Sequence, residues 1–116
     1  MKKVKLYEIA HSRAGDKGEI TNISLFPYAD DHYDLLCLQV TARAVKSHFG
    51  ELVRGEVVRY EVPSLRGLNF VLYGTRIGGV SSALELDPHG KALSFGLLEM
   101  TVEMPDDGRE EDGSRR

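Results

Sequence analysis

Hydrophobic and polar positions alternate at the start of the chain. Val4 and Leu6 are set between Lys3 and Lys5, and Tyr7 and Ile9 then shift the phase. A period of two sends successive side chains to opposite faces, so residues 3–10 predict a strand with a change of facing near Tyr7. Residues 11–18, HSRAGDKG, interrupt the pattern and read as a loop by composition. Residues 20–27 are rich in β-forming side chains and stop at Pro27, which predicts a second strand. Two strands separated by about eight or nine residues are most simply an antiparallel pair with a long connection.

The strongest periodicity follows. Leu35, Leu38, Ala42, Val45, Phe49 and Leu52 recur at alternating steps of three and four, the spacing of an amphipathic helix of about five turns. Its face of Leu38, Ala42, Val45 and Phe49 is expected in the core. Asp30 and Asp31 offer N-caps, Thr41 could cap a second helix after a break, and Gly50 or Gly55 ends the stretch. Residues 56–62 alternate again and close at Pro63. Residues 65–73 fit both periods: Leu65, Leu68 and Leu72 suit a helix, while Leu68, Phe70 and Leu72 suit a strand. A short helix is preferred here because of the loop beside Pro63. Residues 80–86 read as a strand, 87–90 (DPHG) as a type I turn, 91–100 as a helix through Leu93, Leu97 and Met100, and 102–104 as an edge strand. This order predicts an α+β two-layer sandwich, with a mostly antiparallel sheet and helices on one face.

Composition narrows the class. With 116 residues, 41% hydrophobic and 28% charged, the chain fits one globular domain without a disulfide or metal staple. That domain is expected over residues 1–104. Residues 105–116, PDDGREEDGSRR, hold no side chain that could enter a core and read as a disordered tail. A formal net charge of −3 argues against a nucleic-acid partner bound by bulk positive charge. No apolar run approaches the roughly 18 residues of a membrane span, and no signal-like run opens the sequence. A single cysteine, Cys37, fits a reducing cytosol, so a cytoplasmic location is expected. Cys37 reads as a core thiol on the helix, with a catalytic nucleophile as the alternative. The spacings among His11, His32, His48, His89 and Cys37 match no recognised ligand pattern, so no metal is expected, and no cofactor is implied.

Two segments concentrate candidate chemistry. The first holds Ser12, Arg13, Gly15, Asp16, Lys17 and Gly18. Glycines allow left-handed backbone that presents successive N–H groups to an anion, and Arg13 could grip a carboxylate or phosphate through two hydrogen bonds. The alternative is a solvated connection in which Asp16 and Lys17 pair locally. The second segment runs through Arg76, Gly78 and Gly79 to Ser81. It lacks a dinucleotide fingerprint and reads either as a flexible turn or as the other half of an anion pocket. Asn69 lies in an apolar run and needs a partner if buried, the simplest being a nearby loop.

SRAGDKG at 12–18, Asn22-Ile23, VRYEVP at 58–63, LNFVL at 68–72 and GGVS at 78–81 occur in this order. Together they resemble the ferredoxin-fold domain found at the C-terminus of acyclic terpene utilisation protein A, which also occurs as a short stand-alone protein. The resemblance implies a ferredoxin-like two-layer sandwich. It also implies a link to breakdown of branched acyclic terpenoids through acyl-CoA intermediates. The larger members carry an additional N-terminal domain, whose contribution is then expected either to be absent here or to come from a separate, larger partner chain. By position, the matched polar residues are Ser12, Arg13, Asp16, Lys17, Asn22, Asn69 and Ser81, and the matched glycines are Gly15, Gly18, Gly78 and Gly79.

Three functions follow as expectations. The first is an accessory domain that binds a small anionic ligand or acyl-CoA through residues 12–18. The second is an acyl-CoA hydratase or hydrolase using Asp16 and Lys17. The third is a structural module that forms a homo-oligomer. Because the tail offers no apolar side chain, deleting residues 105–116 is expected to change unfolding free energy by less than about 1 kcal/mol, measured by chemical denaturation of the truncated and full chains.

Overall fold

The computed structural model describes residues 2–75 and 91–105. The expected strands at 80–86, the turn at 87–90 and the tail from 106 lie outside the described residues. The first predicted strand divides: β1 spans Lys2–Lys5, a single 3-10 turn spans Leu6–Glu8, and β2 begins at Ala10. That turn produces the change of facing expected near Tyr7. It buries Leu6 while leaving Tyr7 exposed.

The expected loop at 11–18 is instead strand. β2 (Ala10–Lys17) pairs along its whole length with β3 (Ile20–Pro27), from Ala10 opposite Pro27 to Lys17 opposite Ile20. The long connection therefore shrinks to Gly18 and Glu19. Gly18 has φ +67°, whereas Glu19 is not among the residues with positive φ. A glycine with positive φ at the first position of a two-residue loop matches the twist of antiparallel strands. Small inward side chains, Ala10, Ser12 and Ala14, let a helix cross closely above β2. The hydroxyl of Ser12 donates to the Ser94 carbonyl in that helix, at Lys91–Leu97, at 3.0 Å.

The five-turn helix is two helices, α1 (Tyr33–Gln39) and α2 (Ala42–Phe49). Val40 leaves the helical conformation with ψ 74°, and the Thr41 side chain accepts from the Ala44 amide at 3.0 Å, the cap the sequence offered. The break resets the helical phase. Leu36, Val40, Val45 and Phe49 face the core, while Leu38, expected inside, is 79% exposed. Gly50 closes α2 with φ +60°.

β4 (Val57–Val62) leads through a 3-10 turn at Pro63–Leu65 into β5 (Gly67–Tyr73). The short helix preferred for residues 65–73 is thus a strand. The period of two wins because Leu68, Phe70 and Leu72 all enter the core from one face, whereas Leu65, which completed the helical pattern, is exposed. β5 gains ladders on both sides, to β3 and to β4. Helix α3 spans Lys91–Leu97, and β6 (Thr101–Met104) pairs with β1 as a separate ribbon.

Four antiparallel strands in the order β2-β3-β5-β4 form the main sheet. Its inward side chains, among them Ile23, Leu25, Phe70 and Val57, pack with Leu36, Val45, Phe49, Leu93 and Leu97 of the helices. This is the expected α+β two-layer arrangement, with the described helices on one face. No helix among the described residues is long and apolar enough to cross a membrane.

Between α1 and β4 the inward Arg59 satisfies the end of the helix. One guanidinium nitrogen donates to the carbonyls of Cys37 at 2.7 Å and Val40 at 3.1 Å, and the other meets Glu61 at 2.8 Å. Carbonyls at a helix C-terminus lack intrahelical donors and attract positive charge, so this arginine acts as a cap from outside the helix. The buried Tyr33 hydroxyl lies beside Cys37 without a hydrogen bond of good geometry. Burial pushes the Tyr33 hydroxyl above its ordinary pKa; Cys37 and Glu61 add to the rise and Arg59 opposes it.

Two outcomes follow from this packing. Phe49→Ala should cost about 3–5 kcal/mol in urea unfolding, while Leu38→Ala, on the same predicted stripe, should stay within about 0.5 kcal/mol. A raised folded-state pKa contributes stability that is fully present below the unfolded tyrosine value of about 10 and lost as pH rises through the folded value. Because the buried Tyr33 hydroxyl has no hydrogen-bond partner among the described residues, Tyr33→Phe should be at least as stable as the parent at pH 7. It should also lose less stability between pH 9 and 11, read from paired denaturation curves.

Candidate functional site

The parity of the strands sorts the candidate residues. Directly opposed residues in an antiparallel pair share a face, and neighbours along a strand take opposite faces. On β2, Ser12, Ala14 and Asp16 oppose Leu25, Ile23 and Thr21 and share the inward face; His11, Arg13, Gly15 and Lys17 oppose Phe26, Ser24, Asn22 and Ile20 and share the outward one. The outward set continues through Asn69, Val71 and Tyr73 on β5 and Val58, Tyr60 and Val62 on β4.

Of the site residues expected from sequence, Arg13, Gly15, Lys17, Asn22 and Asn69 are brought together on this outward face. Ser12 and Asp16 are turned the other way. Ser12 is engaged with Ser94, and Asp16 lies at the exposed end of β2. Asp16 and Lys17 form no ion pair, contrary to the local pairing considered above. Gly18 serves the turn, and Gly15 sits in extended strand, so the two do not form a row of amides aimed at one point. An extended ladder sends successive N–H groups to opposite sides, which removes the expected backbone anion cradle. Arg76, Gly78, Gly79 and Ser81 lie outside the described residues.

No described element covers the outward face. His11, Arg13, Gly15, Lys17, Asn22, Tyr60 and Tyr73 are exposed, and among the outward positions only Gly67, beneath the Phe26 ring, is buried. Asn69 does not tie down a loop. Its amide donates to the Asn22 carbonyl oxygen at 3.3 Å across the strands, while its own oxygen is buried without a partner among the described residues. Among the described residues Arg13 and Lys17 make no hydrogen bond or ion pair. They stand four residues apart on one strand face, about 13 Å along it.

Several residues of this face were missed in the sequence. His11 stacks between Phe26, with ring centroids 5.5 Å apart, and Tyr28, at 5.2 Å. Phe26 lies against Gly67, where an added Cβ would come within 2.5 Å of the ring. The alternation of Phe26 and Tyr28 was visible, but His11 joins them only through the β2–β3 register. Cys37 is partly buried against the core, as expected of a packing thiol. Among the described residues no three His, Cys, Asp or Glu side chains gather as a metal site would require.

No curated protein and no solved structure matches the chain. A family model does, the AtuA ferredoxin-like domain, over residues 4–103. That span includes β2, β3, β4 and β5, which carry the open face, together with the helices behind them. The chain therefore belongs to the AtuA ferredoxin-like domain family.

Proposed function

We propose that this domain is a cytosolic binding component of an acyl-CoA-linked catabolic system for branched acyclic compounds. It recognises an anionic group on the open face of its sheet and acts with a larger partner chain. The observation that carries the binding role is the placement of Arg13 and Lys17, without a partner among the described residues, on a face that no described element covers. None of the outward positions of the four strands is Asp or Glu, although the chain holds 18 acidic residues against 15 basic. An anion meets attraction there and no opposing carboxylate. The face thus replaces the 12–18 loop as the recognition element. The hydrolase or hydratase alternative gains less from the geometry, because Asp16 and Lys17 belong to opposite faces.

A second reading has its own support. Ile20, Tyr60 and Tyr73 are 42%, 53% and 39% exposed on the same face, an apolar contribution suited to contact between copies. Sedimentation velocity separates the two: tight self-association without ligand binding favours the structural module.

The binding reading predicts a separation between folding and recognition. Arg13→Ala with Lys17→Ala should leave unfolding free energy within about 1 kcal/mol, since exposed cations add little to stability. Binding of phosphate, small carboxylates or CoA esters should weaken by about 1.5–3 kcal/mol for each charged group that contacts the ligand. Calorimetric titration of both proteins checks this, and equal affinity of parent and variant for every ligand in the panel removes the open face as the anion site.

A further inference from the structure

We infer that β4 is the interface of a homodimer, in which two copies pair edge to edge and antiparallel about a two-fold axis at Tyr60. The pairing goes beyond both readings above. It uses the rim of the sheet and leaves the open face, with Arg13 and Lys17, uncovered.

The strand contains Val58-Arg59-Tyr60-Glu61-Val62, which has the same pattern in both directions with the two charges exchanged. β4 is an outer strand of the main sheet and pairs with β5 on one side. Among the described residues, no backbone hydrogen bond reaches residues 57–62 from the other side. An outer strand with a row of unpaired N–H and C=O groups is a template for another chain.

The ladder to β5 shows which groups are free. The Tyr73 amide donates to the Glu56 carbonyl at 2.9 Å, which makes Glu56 and Tyr73 a hydrogen-bonded pair. Such pairs alternate along an antiparallel ladder. Val58, Tyr60 and Val62 therefore aim their backbone groups at β5, while Val57, Arg59 and Glu61 aim theirs at the free edge. A two-fold axis at Tyr60 sets Arg59 opposite Glu61 of the second copy, and Glu61 opposite its Arg59. Both pairs can then exchange N–H and C=O across the axis. Moving the axis one residue either way would set Arg59 against Arg59 or Glu61 against Glu61, and like charges directly opposite are destabilising. On the outward face the axis at Tyr60 sets Tyr60 against Tyr60 and Val58 against Val62. Tyr60 is 53% exposed, and aromatic and β-branched pairs across strands stabilise a sheet.

The inward charges select the partner. Arg59 meets Glu61 at 2.8 Å within the chain. Inward charged residues on an edge strand discourage pairing with an arbitrary strand. A second copy compensates them, because its own pair arrives with the signs reversed and the charges alternate around the axis. The other outer strand, β2, has no such solution. Its outward positions hold Arg13 and Lys17 and its inward ones hold Asp16, so no register that keeps the faces sets a cation opposite a carboxylate. Pairing through β4 joins the two sheets into one, with both open faces on the same side.

The test is sedimentation velocity of the full chain from micromolar to millimolar concentration. Strands of six residues make a small contact, so the parent should dimerise reversibly. Glu61→Lys sets like charges opposite each other and should weaken association by about tenfold or more, with an unchanged circular dichroism spectrum. Ile20→Lys, on the open face, should associate as the parent does. Cysteine cross-linking in a Cys37→Ser background, under oxidised glutathione, reads the register. Cα atoms of a non-hydrogen-bonded pair lie about 4.5 Å apart, within disulfide range, so Tyr60→Cys should form a covalent dimer. Val58→Cys should not, because its copy lies four residues away along the strand, about 13 Å. A chain that stays monomeric at millimolar concentration overturns the inference. A dimer dissociated by Ile20→Lys and not by Glu61→Lys assigns the contact to the open face and overturns it too. Cross-linking through Val58→Cys in place of Tyr60→Cys overturns the register and the axis with it.

Discussion

Burial of one set of alternate side chains on β3 and β5 governs the rest of this domain. Ile23, Leu25, Leu68, Phe70 and Leu72 all point to the helical layer and are almost wholly excluded from solvent. A shift of register by one residue would send them to water and bring Asn22, Ser24, Asn69 and Val71 inward. Such a slip exchanges the entire buried set, so apolar burial holds the register firmly. The outward face inherits its composition from this constraint. Asn22 and Asn69 lie within reach of each other because their neighbours are in the core.

The two kinds of arginine on the sheet show how parity separates structure from recognition. Arg59 occupies an inward position on β4 and is consumed by the end of α1, where it satisfies two carbonyls and meets Glu61. Arg13 occupies an outward position on β2 and has no partner among the described residues. Their chemistry is identical; their strand parity differs. A guanidinium enclosed by helix carbonyls supports the fold, while one that faces water is available to a ligand.

β2 also links the two layers. Its inward side holds small residues beneath α3, with Ser12 bonded to the Ser94 carbonyl, and its outward side carries His11, Arg13 and Lys17. The strand is held to β3 throughout its length and turned by Gly18. Side chains on a paired strand are held more rigidly than those on a loop, which would suit the proposed site, whose groups are spaced along a line.

Much of the fold was legible in the chain. Strands at 20–27 and 56–62, a cap at Thr41, helical residues after position 90 and a terminal edge strand all follow from period, caps and proline positions. These depend on local sterics and on side-chain spacing that the sequence displays. What the chain could not reveal were features settled by partners distant in sequence. HSRAGDKG looks like a loop until β3 pairs with it and α3 selects its small inward residues. LNFVLY takes the strand period because ladders on both sides compete with a single short helical turn. Leu38 follows the helical stripe but loses its place in the core once the break at Val40 rotates α2 relative to α1. The candidate site divides in the same way. The sequence identified Arg13, Lys17, Asn22 and Asn69 as residues able to bind, and pairing between strands decided that these share one face while Ser12 and Asp16 turn to the other. Residue type is a property of one position, whereas a shared face is a property of register, which exists only when distant strands meet.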